Sequence, residues 1–152
     1  AIKLMMKEFY LMNKLNYLIY IITPMLSLIL ILMMWLIYPF CNNYLMMMFS
    51  LLYLMCCLSL GVYGLLLSGW SSNSSYSILG SLRSLAQSIS YEVSLSIIMI
   101  IPMFLINSMN FMNLIYYQIN NWMMIYMWPL SIMFLFSMMA ELNRTPFDFS
   151  EG

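Results

Sequence analysis

Apolar residues fall in four long runs along this chain, and polar residues gather between them. Read with a window of about 19 residues, the runs cover 17–38, 44–67, 84–106 and 122–142. Each exceeds the roughly 20 residues a helix needs to cross the hydrocarbon of a bilayer. No strand-like alternation interrupts them, and lipid offers the backbone no hydrogen-bond partner, so each run is predicted to be an α-helix. The expected fold is all-α, a polytopic transmembrane helix bundle forming a single integral membrane domain over 1–152. A cleaved secretory signal does not account for the first run. Its apolar stretch is too long for a signal h-region, and no small-x-small cleavage site follows it.

Composition agrees with this reading. Hydrophobic residues make up 64% of the chain and charged residues 7%, where soluble domains carry roughly a quarter charged. A soluble fold of this length could not hide so much apolar surface. The four runs leave five flanking segments, and these alternate in character. The first, third and fifth hold all five basic residues: Lys3, Lys7, Lys14, Arg83 and Arg144. Segments 39–43 and 107–121 carry no charge of either sign. Basic residues stay on the side from which helices insert, so 1–14, 69–83 and 143–152 are expected on the cytoplasmic side, or the matrix side in a mitochondrion. Trp35, Tyr38 and Tyr44 flank one boundary, and Tyr116, Tyr117, Trp122, Tyr126 and Trp128 another, as interfacial anchors do.

Several features have plain structural explanations. Cys41, Cys56 and Cys57 lack the spaced Cys or His partners of a metal site and read as packing residues. Asn73-Ser74-Ser75 and Asn143-Arg144-Thr145 match the glycosylation sequon, but both lie on the side assigned inward. Gly61 and Gly64, with Ser59 and Ser68, are expected to allow close helix contact. Pro24, Pro102 and Pro129 are expected to bend their helices, neighbours meeting the freed carbonyls. The chain starts at Ala1 and stops at Gly152 just after a charged stretch begins, as expected of one bundle cut at both ends. Twenty Met, with abundant Leu, Ile, Tyr, Asn and Ser, fit an AU-rich coding bias of the kind seen in animal mitochondrial genomes.

Two carboxylates stand apart from the other charges. Glu92 lies nine residues beyond Arg83, about 13 Å of helix rise, and so falls well inside the third run. A carboxylate at that depth costs several kcal/mol unless it is paired, hydrated or protonated. Ser84, Ser88 and Glu92 recur at four-residue spacing, as do Arg83, Gln87 and Tyr91, which gives the inner half of this helix a continuous polar stripe. Leu82, Leu85, Ile89 and Val93 form the apolar positions. Such a stripe belongs against protein or water, and Glu92 is read as a proton-exchanging carboxyl beside an aqueous cavity. A neutral, hydrogen-bonded packing role is the competing explanation. Burial and a cation such as Arg83 act on its proton in opposite senses, and sequence alone does not decide between them. Glu141 sits at the inward end of the fourth run, three residues before Arg144, a spacing that an ordinary helix-end ion pair would also explain. Pro146 disfavours helix at Thr145, so the chain leaves the membrane there as a loop, in which Asp148 and Glu151 could cap a following helix.

Two stretches resemble a known family. Gly-Trp-Ser-Ser-Asn-Ser-Ser-Tyr-Ser-Ile-Leu-Gly-Ser-Leu-Arg-Ser-Leu-Ala-Gln-Ser-Ile-Ser-Tyr-Glu-Val at 69–93, and Ala-Glu-Leu-Asn-Arg-Thr-Pro-Phe-Asp-Phe-Ser-Glu-Gly at 140–152, are similar to NADH dehydrogenase subunit 1, the mitochondrially encoded membrane subunit of respiratory complex I. Ala1-Ile-Lys-Leu is similar to that family's first inward loop. The resemblance runs essentially from end to end and implies the second to fifth of eight helices. It implies a core subunit of a proton-pumping NADH:ubiquinone oxidoreductase in the mitochondrial inner membrane, with the basic segments in the matrix. Such a subunit shares a ubiquinone-access chamber with hydrophilic-arm subunits and passes coupling on to antiporter-like membrane subunits. Nucleic acid is not among the implied partners. No redox centre is implied in this chain itself, and ubiquinone is implied as substrate at a shared site.

By the same resemblance Glu92 and Glu141 match carboxylates of the family's acidic proton relay. Arg83, Gln87, Tyr91, Arg144, Asp148 and Glu151 match positions at the chamber and its adjoining acidic loop. Leu142 replaces a Thr common in the second motif, Ser75 stands where Lys or Asn is frequent, and Met5-Met6 replaces a usual Phe-Thr; none of these removes an acid. Two other functions fit the residues without the resemblance: an ion or solute carrier with intramembrane carboxylates, and a purely structural membrane subunit. Carriers often show an inverted repeat, and this sequence has none.

Overall fold

The computed structural model describes residues 2–8, 13–38, 47–119 and 122–148. Among these the chain is helical throughout: α1 (Ile2–Met5), α2 (Tyr17–Met34) followed by a 3-10 turn (Trp35–Ile37), α3 (Ser50–Ser71), α4 (Ser75–Ile106), α5 (Phe111–Gln118), α6 (Met123–Tyr126) and α7 (Trp128–Glu141). The order of packing is α2 on α3, α3 on α4 and α4 on α7, with α5 against α4. Three elements, Tyr17–Ile37, Ser50–Ser71 and Ser75–Ile106, are long and apolar enough to cross a membrane. Large apolar side chains such as Leu28, Ile31, Leu60, Ile97 and Phe104 stand exposed along them. An aqueous surface does not tolerate so much contiguous apolar area; acyl chains do. The chain is an integral membrane helix bundle.

The helix limits depart from the sequence expectation in three places. The third run begins nine residues earlier than expected, at Ser75, because Ser74 caps the helix by accepting from the Ser77 N–H at 3.3 Å. Arg83 therefore lies on α4 and not in a flanking loop. At 32 residues, and about 1.5 Å per residue, α4 is about 48 Å long, so part of it extends past the roughly 30 Å hydrocarbon layer. The fourth run is broken. A single turn, α6, stops at Tyr126, and α7 starts afresh with Pro129 in its first turn, because proline lacks the N–H that would continue the ladder from α6. The resulting α7 has 14 residues. The uncharged segment 107–121 also contains α5, with exposed Tyr116 and Tyr117. In the second run, 44–46 lie outside the described residues, and helix starts only at Ser50.

Helix ends are closed by a repeated device. Asn73, Asn107 and Asn143, which follow or end α3, α4 and α7, adopt left-handed backbone at φ 52°, 55° and 47°, a conformation Asn tolerates better than other side-chain-bearing residues. Beyond α4 and α7 the next amide reaches back to the helix, Ser108 N–H to Met103 O at 3.4 Å and Arg144 N–H to Met139 O at 3.2 Å. At the opposite end of α3, buried Ser50 donates to Met109 O at 3.3 Å and accepts from the Phe111 N–H at 3.0 Å, which ties α3 to the turn after α4. On the basic side, Asn16 N–H donates to Ser71 O at 3.0 Å and Asn73 Nδ2 to Lys14 O at 3.2 Å, fastening the first segment to the α3–α4 turn. Within α2, Pro24 leaves the Tyr20 carbonyl without its helical donor, and the Thr23 hydroxyl supplies one at 3.0 Å.

The tightest helix contact is not where Gly61 and Gly64 placed it. Gly61 faces open space, and a side chain at Gly64 would meet only Ser27 Cβ at 3.9 Å. At Gly69, by contrast, an added Cβ would collide with the side chain of Ser81 and come within 3.1 Å of Ser77 O. Absence of a side chain there lets α3 and α4 approach backbone to backbone, and Ser77 Oγ closes the crossing by donating to Gly69 O at 3.2 Å. Gly69→Ala should therefore cost about 1–3 kcal/mol, read as a lower thermal midpoint of the assembled protein. Gly61→Ala, with nothing to collide with, should be neutral or gain up to about 1 kcal/mol of helix propensity.

Candidate functional site

The inner half of α4 carries the polar positions, and α7 packs along it. Small buried residues, Ser137 and Ala140 on α7 and Ser84 and Ser88 on α4, keep the layers thin at this level. The serines do not form an outward-facing chain of donors. Ser84 Oγ donates to Ser81 O at 2.9 Å, Ser88 to Leu85 O at 3.0 Å, Ser90 to Gln87 O at 2.7 Å and Ser94 to Tyr91 O at 2.8 Å. Each hydroxyl proton is thus held by its own helix, as serine does in apolar surroundings, and the oxygens keep lone pairs that can accept.

Glu92 is half-buried on α4, 17 residues after its start and 14 before its end, which puts about 26 Å of helix on one side and 21 Å on the other. Glu141 is half-buried at the last position of α7. The two acids thus stand on helices that pack on one another. Past the helix end Asn143 turns left-handed, and Arg144 stands exposed.

The remaining predicted residues separate into two groups. Arg83 and Arg144 are exposed and do not join the carboxylates. Gln87 and Tyr91 instead receive the loop that follows α7. The Gln87 Nε2 amide donates to Phe147 O at 2.8 Å, and the rings of Tyr91 and Phe147 meet edge to face with centroids 5.4 Å apart and planes at 69°. Asp148, the next residue, is half-buried; Glu151 lies outside the described residues. Phe147 was not singled out from sequence as a functional position. Only its place after Thr145-Pro146, where the chain must turn, hinted at a loop held against the bundle. Towards the uncharged end an apolar groove of about 670 Å³ opens between Trp35, Tyr38, Leu54, Met99, Phe111 and Leu114.

The arrangement places two half-buried carboxyls, Glu92 and Glu141, on helices that pack together. A carboxyl in apolar surroundings can take up or release a proton when a neighbouring charge changes.

Comparison with known proteins bears on this geometry. The profile of a family described as NADH dehydrogenase matches residues 1–152. Relatives carrying the name NADH-ubiquinone oxidoreductase chain 1 include those of Locusta migratoria, 46% identical, Anopheles gambiae, 43%, and the primate Ateles paniscus, 40%; each similarity covers 100% of this chain and 48% of the relative. The chain spans about half the length of the relatives it matches. It belongs to the NADH dehydrogenase family.

The packing of α7 on α4 makes a measurable prediction about the two acids. Glu92→Gln and Glu141→Gln should be non-additive in thermal stability, the double replacement departing from the sum of the singles by at least about 0.5 kcal/mol. Additivity would separate the two carboxyls.

Proposed function

We propose that this chain is part of the core membrane subunit of a proton-pumping NADH:ubiquinone oxidoreductase, placed where reduction of the quinone is coupled to proton translocation. The observation that carries this reading is the pair of half-buried acids, Glu92 well inside α4 and Glu141 at the end of α7, on two helices that pack on one another. Family membership supports it, since the related chains are named as subunits of that oxidoreductase. In this role Glu92 and Glu141 are relay carboxyls that take up and pass on protons. Helices α4 and α7, with the 142–148 loop, form one wall of a ubiquinone-access chamber on the basic side, where Arg83, Gln87, Tyr91, Arg144 and Asp148 lie. The chain supplies no redox centre. Electrons reach the quinone from hydrophilic-arm subunits, and antiporter-like membrane subunits receive the coupling signal.

The inner mitochondrial membrane is the location this role requires, with Lys3, Lys7, Lys14, Arg83 and Arg144 on the matrix side. Charge asymmetry between the segments supports that orientation. What the protein does to a proton at each acid follows from ordinary electrostatics. An isolated charge at this depth costs several kcal/mol, so each carboxyl is poised to change its protonation when a neighbouring charge changes. A change of quinone state close to α4 is the kind of event that would do so.

Two experiments test the reading. In the assembled complex Glu92→Gln should lower proton translocation at least about tenfold, while NADH oxidation by an artificial acceptor that takes electrons before the quinone stays unchanged. Pumping at the parental rate would remove Glu92 from the relay. For orientation, Tyr76→Cys and Asn113→Cys, each at an exposed position and introduced after replacing the native cysteines by Ser, should react with an impermeant maleimide from opposite faces of the membrane, Tyr76→Cys from the matrix face. Labelling of both from the same face overturns the topology.

A further inference from the structure

The loop after α7 is held to α4 by a directed bond from Gln87. Gln87 is 8% exposed, and its amide is oriented without ambiguity. A backbone carbonyl can only accept, so the NH2 end must face Phe147 O, at 2.8 Å. That choice turns Oε1 the other way, where it is buried without a hydrogen-bond partner among the described residues. Burying an unmet acceptor is unfavourable. The side chain therefore takes its orientation from the loop and not from a partner at its own level of the bundle.

The loop's other end is fixed independently. Leu142, Asn143 and Arg144 donate their amides to Met138, Ala140 and Met139 carbonyls at 3.0, 3.2 and 3.2 Å, and the Phe147 N–H closes a turn on Arg144 O at 2.8 Å. A loop rooted on the end of α7 and tied to α4 by Gln87 joins the two helices at the level of Glu141. It acts as a staple across the α4–α7 seam.

We propose that Gln87 is a positioning residue that, through Phe147, sets the α4–α7 spacing and with it the approach of Glu141 to Glu92. The functional half of this proposal rests on the relay reading given above; the structural half does not. The Tyr91 ring against Phe147 steers the loop, and the amide bond locks it. Gln87 itself transfers no proton.

The test is hydrogen–deuterium exchange on the assembled complex, combined with proton and electron yields. Gln87→Met keeps the length of the side chain and removes the donor. It should speed exchange of the Phe147 amide about tenfold and leave the amides of 142–144 protected, since those are bonded to α7. Protons translocated per NADH oxidised should fall by at least about half, while NADH oxidation by an artificial acceptor that takes electrons before the quinone stays unchanged. Phe147→Leu keeps the carbonyl and loses the ring, so exchange there should rise no more than about twofold. This second variant serves also if the first does not assemble. Unchanged exchange in Gln87→Met, or equal release in Phe147→Leu, overturns the staple. Faster exchange with an undiminished proton yield overturns the positioning role and leaves the relay reading, tested separately at Glu92, standing.

Discussion

Hydrocarbon offers no hydrogen-bond partner, and nearly every polar contact in this structure answers to that constraint. Serine hydroxyls along α3, α4 and α7 donate to the carbonyl three residues back. Thr23 meets the carbonyl that Pro24 strands. Ser50 serves two backbone groups of another segment at once. In water these bonds would be worth little, because solvent would replace them; inside a membrane an unmet group costs several kcal/mol. The fold is therefore a set of self-satisfied helices whose mutual packing depends on small residues and shape, with no hydrophobic gain from pressing them together.

Against that background the two interior acids are conspicuous because they are the groups the helices do not neutralise. Ser84 and Ser88 on the same helix commit their protons to backbone carbonyls, and Glu141 ends α7 half-buried while Arg144 stands exposed. α4 is the element on which everything converges. One face closes on α3 at Gly69, another on α7 near Ser137 and Ala140, and its inner turns receive the loop through Gln87 and Tyr91. A single long helix thereby links the basic surface, the loop and the interior carboxylate, which is the linkage a coupling element in the NADH dehydrogenase family would need.

Where the sequence expectation and the structure part, the causes are local and physical. The Ser- and Asn-rich stretch before Arg83 reads as loop by composition, yet Ser74 caps a helix there and the serines beyond it bond back to that helix's own carbonyls. Pro129 was read as a bend in a continuous span and instead starts a new helix. Gly61 and Gly64 are well spaced for a helix contact, but the close approach falls at Gly69, because which face of α3 meets α4 is not a property of α3 alone. The asparagines after three helices are legible in principle as left-handed ends, whereas the sequence reading marks Asn73 and Asn143 only as sequons and does not single out Asn107.

By itself the sequence determined that the chain is a membrane helix bundle, roughly where its long helices run, and that an acid lies within the third. Hydrophobic run length and charge placement are one-dimensional quantities, and they suffice for that. Tertiary structure alone decided that α7 packs on α4, that Gly69 is the crossing point, and that Gln87 reaches a carbonyl 60 residues away. Those facts depend on the rotation of one helix against another and on the direction in which a chain leaves a helix end. Many such rotations leave the same residues equally apolar along the chain, so only packing distinguishes them.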